Sequence, residues 1–467
     1  MNKTLDLTKG SPSKLILRFF FPLLMTNTLQ QLYSFADTAI VGKGLGDDSL
    51  AAVGNMSSLC FLIIGFSMGL SNGFSILIAQ SFGEKDFDKL RRTLAKSISL
   101  AAVITVLLTL FSMTFLRTIL GLLRTDPSII EESLSYGYIL FGGLFATISY
   151  NMCAGILRSL GDSKTPLRAI IVSSVMNITL NSVFIFVCGW GVKGAAAATV
   201  ISQLFSGAVC LARLRQIDFL KLTKLDFAPD RKMYGELLGN GVPMALMNSI
   251  TAVGCMVVQY FVNGLGVAFT SAYSACSKYL NMFMQPAATA GAAMSSYTSQ
   301  NYGAKRFDRI HEGLKVCLTI SAVTYVLFGS AMVFLPRPLA SLILNGSEQI
   351  GYAAQFLPMC GIMIFAVDML FVIRSGVQGM GFPFIPMLSG IAEMILRIGA
   401  IILLIKSLGF RATAAAEIFA WTGALLINTA AFFTIFAREK AKYEKSPAKS
   451  LNESNVKAAF AVKSRSA

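Results

Sequence analysis

Charge is what this chain is short of. Of its 467 residues only 14% are Asp, Glu, Lys or Arg, where a soluble domain carries roughly 25%. With 54% hydrophobic residues and a mean hydropathy of +0.64, that shortage excludes an ordinary soluble domain and implies an integral membrane protein. Histidine is almost missing: His311 stands alone in a charged loop, which argues against a His-based metal or catalytic centre. None of the eight cysteines forms a C-x-x-C pair. They read as small buried hydrophobes, not as ligands or disulfides. There is no H-E-x-x-H, no phosphate loop and no serine with a histidine to activate it. We expect no enzyme and no cofactor. The short alternating segments of a membrane β-barrel are missing too.

What the chain has instead is long apolar runs. They reach about 20 residues or more, the length of a bilayer-spanning helix. Twelve are read, at 15–40, 50–80, 93–116, 130–157, 166–188, 194–212, 236–262, 269–300, 314–336, 350–376, 384–405 and 412–437. The expected fold class is all-α integral membrane, with twelve transmembrane helices. The start, "MNKTLDLTKGSPSKLILRFFFPLLM", lacks a small-residue cleavage site and reads as a short arm (1–14) entering the first helix. Residues 438–467 read as a basic, mobile tail.

A formal net charge of +16 raises the question of nucleic acid, but its distribution answers otherwise. The arm, the tail and alternate loops hold 31 of the 40 Lys and Arg residues, against 7 on the opposite side. The positive-inside rule puts the 31 in the cytoplasm, with both termini, in a multi-pass protein of the cell membrane. The expected partners are the lipid bilayer and a small-molecule substrate, with no nucleic acid, and the chain is expected to work as a monomer.

The chain also repeats itself. "QSFGEKDFDKLRRTL" returns as "QNYGAKRFDRIHEGL" at an offset of 220, so that Gln80 meets Gln300, Gly83 meets Gly303 and Lys85 meets Lys305. The same offset pairs Gly44–Gly46 with Gly264–Gly266, Gly161 with Gly381, Pro166 with Pro386, and Gly189 with Gly409. One gapless offset over such a length is a duplication. Six spans per copy is an even number, so both copies enter the membrane in the same sense, as two pseudo-symmetric six-helix bundles. The expected boundaries are an N-lobe at 15–216, a charged linker at 217–234 and a C-lobe at 235–437. Two similar bundles suit alternating access to a site between them.

Ionisable groups inside spans are costly and are functional candidates by default. The inventory is Asp37, Lys278, Asp368, Glu393, Arg397 and Glu417, with Arg374 near a span end, where it is expected to snorkel to the surface. Glu393 and Arg397 are four apart, on one helix face, either as a local ion pair or as pathway charges. Glu417 either lines a cavity or pairs with Arg397. Lys278 either neutralises an acid such as Asp368 or repels cations. Asp37, in "YSFADTAIVGKGLG", has no charged neighbour within a helical turn. It must find partners on other helices, bind a cation or hold a proton. Asn177 and Asn181, one turn apart on the fifth span, and Thr199 on the sixth offer the oxygens that hard cations take. The same amides also serve plain interhelical hydrogen bonding.

Taken together, "ADTAIVGKGLGDDSLAAVG", "QSFGEKD", "LRSLGDSKTP" and the later "QNYGAKRFDR" and "QGMGFPFIP" resemble the multidrug and toxic compound extrusion (MATE) family, from about residue 14 to residue 437. The resemblance implies twelve helices in two lobes around a V-shaped cleft. It also implies export of amphipathic, often cationic compounds in exchange for Na⁺ or H⁺. It maps a cation site onto Asp37, Asn177, Asn181 and Thr199, and a possible second acid onto Asp368. One departure stands out: Asn181 occupies a position that is often Asp in the family, which leaves one carboxylate where relatives have two. The alternative is a flippase of lipid-linked or polysaccharide precursors. Its phosphate-bearing cargo calls for central cations, and the first-half spans contain no mid-span Lys or Arg.

Overall fold

The computed structural model describes residues 5–122 and 125–445. Fourteen α-helices follow one another: α1 (Pro12–Leu45), α2 (Asp47–Glu84), α3 (Phe87–Leu122), α4 (Ile130–Gly142), α5 (Leu144–Ser159), α6 (Lys164–Ser182), α7 (Gly191–Arg215), α8 (Arg231–Asn263), α9 (Val267–Gly303), α10 (Phe307–Phe334), α11 (Pro336–Ser341), α12 (Ser347–Gly379), α13 (Phe384–Leu408) and α14 (Arg411–Glu444). Among the described residues nine helices are long and apolar enough to cross a membrane, and the α4–α5 pair, bent by 45°, makes a tenth. Helices α1 and α9 are 34 and 37 residues long. Their many amides and hydroxyls keep them below the same hydropathy, and with them the spans number twelve.

Local differences from the sequence reading have local causes. The fourth span breaks at Gly143, where an added Cβ would lie 2.4 Å from the Val200 side chain. The close approach of α7 needs that glycine. The fifth span ends in a π-turn, Val183–Val187. Helix α14 runs on to Glu444, so residues 438–444, expected as mobile tail, are helical. The rest of that tail, 446–467, lies outside the described residues.

The duplication appears in the backbone. Among the described residues the only non-glycine residues with positive φ are Lys85 (61°) and Lys305 (57°), 220 apart. Gly46 and Gly266, Gly161 and Gly381, and Gly189 and Gly409 also share positive φ. One apolar core fills the first half, around Phe74, Phe141 and Leu157. A second fills the outer part of the second half, around Phe356, Ile364 and Trp421.

The halves meet along close helix contacts. Cβ atoms added to Gly69 and Gly73 of α2 would each fall 2.5 Å from a Cα of α8, those of Ala245 and Gly241 respectively. Small residues four apart on both helices let the backbones touch, which is how apolar solvent permits strong helix association. At the ends of α2 and α9 nearest the basic loops, Gly83 faces the Gln300 carbonyl and Gly303 faces the Gln80 carbonyl. The two glutamines form a symmetric latch. Gln80 Nε2 donates to Gly379 O at 3.0 Å, and Gln300 Nε2 donates to Ser159 O at 2.6 Å. Both the donors and the acceptors are 220 residues apart.

The N-terminal arm, read from sequence as a simple lead-in, is packed against this latch. Leu7 is buried and its N–H donates to Gln300 Oε1 at 2.9 Å. Arg309 donates to Leu7 O at 3.1 Å and to Gly10 O at 2.8 Å. Ile16, Phe19, Phe20 and Leu23 of α1 then join a third apolar cluster with residues of α9, α10, α12 and α14. Helix α1 thus begins on the second half and ends on the first. The linker is tied down as well: Lys96 Nζ donates to Asp226 O at 2.5 Å, and Asp226 Oδ2 accepts from Thr223 N and Oγ1 at 2.7 and 2.8 Å. Burial pushes the Asp226 carboxyl up, but the Thr223 hydrogen bonds and the nearby Arg91 and Lys96 charges outweigh it and hold it below its ordinary range.

Candidate functional site

Helix α1 carries Asp37 across to α6. There Asn181 Nδ2 donates to Asp37 Oδ1 in a close hydrogen bond. Among the described residues Asp37 has no ion pair. One turn back on α6, Asn177 Nδ2 lies 3.5 Å from Thr199 Oγ1 of α7, at the limit of a hydrogen bond. The four residues read from sequence therefore come together as two contacts, Asp37 with Asn181 and Asn177 with Thr199. Both asparagines are buried, and both of their Oδ1 atoms lack a partner.

Beside Asn177 and Thr199 lies a cavity of about 10 Å³, also lined by Tyr33, Ser173, Ser174, Ser202 and Gln203. That is room for about one water. Ser174 Oγ, Ser202 Oγ and Gln203 Oε1 are likewise buried without partners. The sequence reading did not name these residues, yet the signal was there. Ser173, Asn177 and Asn181 recur every four residues on α6, and Thr199, Ser202, Gln203 and Ser206 stand at i, i+3, i+4 and i+7 on α7. Two polar stripes in apolar helices face each other. A carboxylate, two orphaned amide oxygens and hydroxyls form an all-oxygen donor set. It fits a hard cation, and its carboxylate also fits a proton.

The second half holds a different arrangement. Arg374 donates to Glu393 at 2.8 Å, Arg397 donates to Glu393 at 3.0 Å, and Arg397 donates to Glu417 at 3.0 Å. All four side chains are buried. The expectation that Arg374 snorkels to the surface is corrected: it turns inward because Glu393 offers a second carboxylate oxygen. Glu417 pairs with Arg397. Lys278 is exposed and forms no pair among the described residues, so it does not neutralise Asp368. Asp368 is 1% exposed and its Oδ1 has no hydrogen-bond partner.

Comparison with known proteins places this architecture. The MatE family model matches residues 22–183 and again 243–403, once in each half. The chain is 31% identical over 350 residues to the probable multidrug resistance protein YoeA of Bacillus subtilis (strain 168), covering 73% of this chain and 75% of the relative. It is 22% identical over 386 residues to the probable multidrug resistance protein NorM of Thermotoga maritima, covering 80% and 82%. In fold it matches a crystal structure of MATE in complex with MaL6, with a TM-score of 0.88 at 22% identity over 94% of this chain and all of the other. It likewise matches an outward-facing multidrug resistance MATE family transporter of the MOP superfamily, with a TM-score of 0.85 at 22% identity over 95% and 99%. The repeated six-span halves, the two-fold match of the family model and the relatives give one conclusion: this chain belongs to the MATE family of multi-pass membrane transporters and is not an enzyme.

Proposed function

We propose that the chain is a secondary antiporter of the cell membrane. It exports small amphipathic, often cationic compounds in exchange for Na⁺ or H⁺, with Asp37 as the coupling group. The observation that carries this reading is a lone carboxylate inside the N-lobe with no ion pair, hydrogen-bonded to Asn181 and close to orphaned amide oxygens. An acid with no fixed counter-charge is free to exchange one. The relatives named as multidrug resistance proteins support the cargo class. The basic loops and the even span count support cytoplasmic termini.

The latch and the arm tie the halves together on the side of the basic loops. In this conformation Asn181 donates to Asp37 and its own Oδ1 is left without a partner. The flippase reading ranks second: the buried arginines of the C-lobe are ion-paired to carboxylates, which offsets the charge that would hold a phosphate.

The test is ethidium-type dye efflux from proteoliposomes, with a Na⁺ gradient and a pH gradient imposed separately. Wild type is expected to respond to one of them, and Asp37→Asn to fold and respond to neither. Full gradient-driven efflux by Asp37→Asn sinks the mechanism.

A further inference from the structure

The basic face of the N-lobe carries a cleft that the transport cycle above does not use. It measures about 1000 Å³ and lies between the start of α1, the α5–α6 turn and the ends of α6 and α7 nearest the basic loops. Its lining includes Arg18, Lys164, Arg168 and Arg213, against a single acid, Asp162. That acid is already engaged. It lies 3.6 Å from Arg213 Nε, accepts from Thr165 Oγ1 at 2.6 Å, and accepts from the backbone N–H of Lys164 and Thr165 at 3.1 and 3.0 Å. Arg18, Lys164 and Arg168 are exposed and, among the described residues, none has a carboxylate within 4.0 Å. Three cations thus converge on one concavity with no anion among the described residues left to neutralise them.

The surface that continues from this cleft is apolar. On α1, Phe21 and Met25 follow Arg18 at three and seven residues, on the same helical face, and are 57% and 51% exposed. On the neighbouring α6, Val172 and Val175 follow Arg168 at four and seven residues and are 51% and 64% exposed. Two adjacent helices therefore present the same order: a cation at the basic end, then a bare apolar strip along the span. A soluble anion would use the cations alone. A molecule with an anionic head and hydrocarbon tails uses both. Basic pockets between helices at the cytoplasmic surface are where anionic lipid headgroups bind.

We infer that the α1–α6 cleft is a binding site for an anionic phospholipid of the leaflet that borders the basic loops. Its phosphate sits among Arg18, Lys164 and Arg168, and its acyl chains lie along Phe21–Met25 and Val172–Val175. Only the naming of that leaflet as cytoplasmic rests on the topology proposed above; the site itself does not.

The test is native mass spectrometry of the detergent-purified full chain, titrated with phosphatidylglycerol, with phosphatidylcholine of the same acyl chains, and with glycerol 3-phosphate. Wild type is expected to retain phosphatidylglycerol in preference to the other two. The variant Arg18→Gln/Lys164→Gln/Arg168→Gln is expected to bind it roughly tenfold or more weakly. Arg18→Lys/Arg168→Lys keeps the charges and is expected to retain most of the binding. A control, Lys224→Gln/Lys232→Gln/Lys315→Gln, removes three basic-side cations outside the cleft and is expected to change it little. Equal retention of phosphatidylcholine, equal binding of glycerol 3-phosphate, or an equal loss in the control each overturns the proposal. Because the readout is binding in detergent, it succeeds or fails independently of Asp37 and of the coupling ion.

Discussion

The two halves descend from one six-span unit, and they treat buried charge in opposite ways. At the offset of 220, Asn177 of the N-lobe corresponds to Arg397 of the C-lobe, Ser173 to Glu393, and Ala197 to Glu417. The C-lobe uses these three positions, together with Arg374 (counterpart Ala154), for a four-residue network in which each charge has a partner within 3.0 Å. The N-lobe fills them with amides and small residues and adds a single acid, Asp37, whose own counterpart is Val257. In a paired network, losing one charge strands another in a medium that solvates charge poorly. A lone acid among neutral donors has no such tie. The difference separates a brace from a switch built on the same helices.

The sharpest way to break this comparison is to remove Arg397. Arg397→Ala strands Glu417 and leaves Glu393 with Arg374 alone, and is expected to cost about 3–5 kcal/mol of stability. A thermal-unfolding assay of the detergent-purified variant should show a large fall in Tm, with Asp37→Asn close to wild type. If Arg397→Ala unfolds like wild type and fails only in transport, the C-lobe network is a pathway and the contrast collapses.

The shared part of the architecture predicts effects of the same sign. Gln80→Ala leaves the Gly379 carbonyl unpaired, and Gln300→Ala leaves both the Ser159 carbonyl and the Leu7 N–H unpaired, at about 1–3 kcal/mol per group. Both should shift the population toward opening on the basic side, Gln300→Ala by more. Spin-label distances between the α2–α3 and α9–α10 turns would register it, and an effect confined to one of the two would deny the latch its symmetry.

Asn181→Asp gives the lone acid a second carboxylate. We expect tighter Na⁺ association and a stronger Na⁺ dependence of efflux, read from transport rates against Na⁺ concentration at fixed pH. An unchanged Na⁺ response would mark the site as one for protons. The smallest effect is expected at Lys278, which is exposed and without an ion pair among the described residues. Lys278→Gln should stay within about 0.5 kcal/mol of wild type in stability and leave ion coupling intact.

Much of the fold was legible in the residues, since span length and repeat offset are one-dimensional properties. Runs such as 93–116 could only be helices in a bilayer, and a gapless offset forces two like bundles. The ends were less legible. Residues 438–444 continue α14 because a helix, once propagating, extends beyond the apolar stretch that started it. The inward turn of Arg374 was hidden because its partner is 19 residues away on another helix. So was the latch: Gln80 and Gln300 were visible as a repeat, but their acceptors are carbonyls, which no side-chain pattern announces.

The sequence by itself determined that this protein lies in a membrane, that it is two copies of one design, and that the charges inside the spans break the copy. Hydrocarbon enforces the first, because only helices satisfy their own backbone there. Gene-level duplication enforces the second. What only the tertiary structure decided is company. It placed Asp37 against Asn181 rather than an arginine, drew Arg374 into the C-lobe network, and threaded α1 from one half to the other. Pairing energies depend on a few ångströms between helices distant in sequence, and that distance exists only once the bundles have packed.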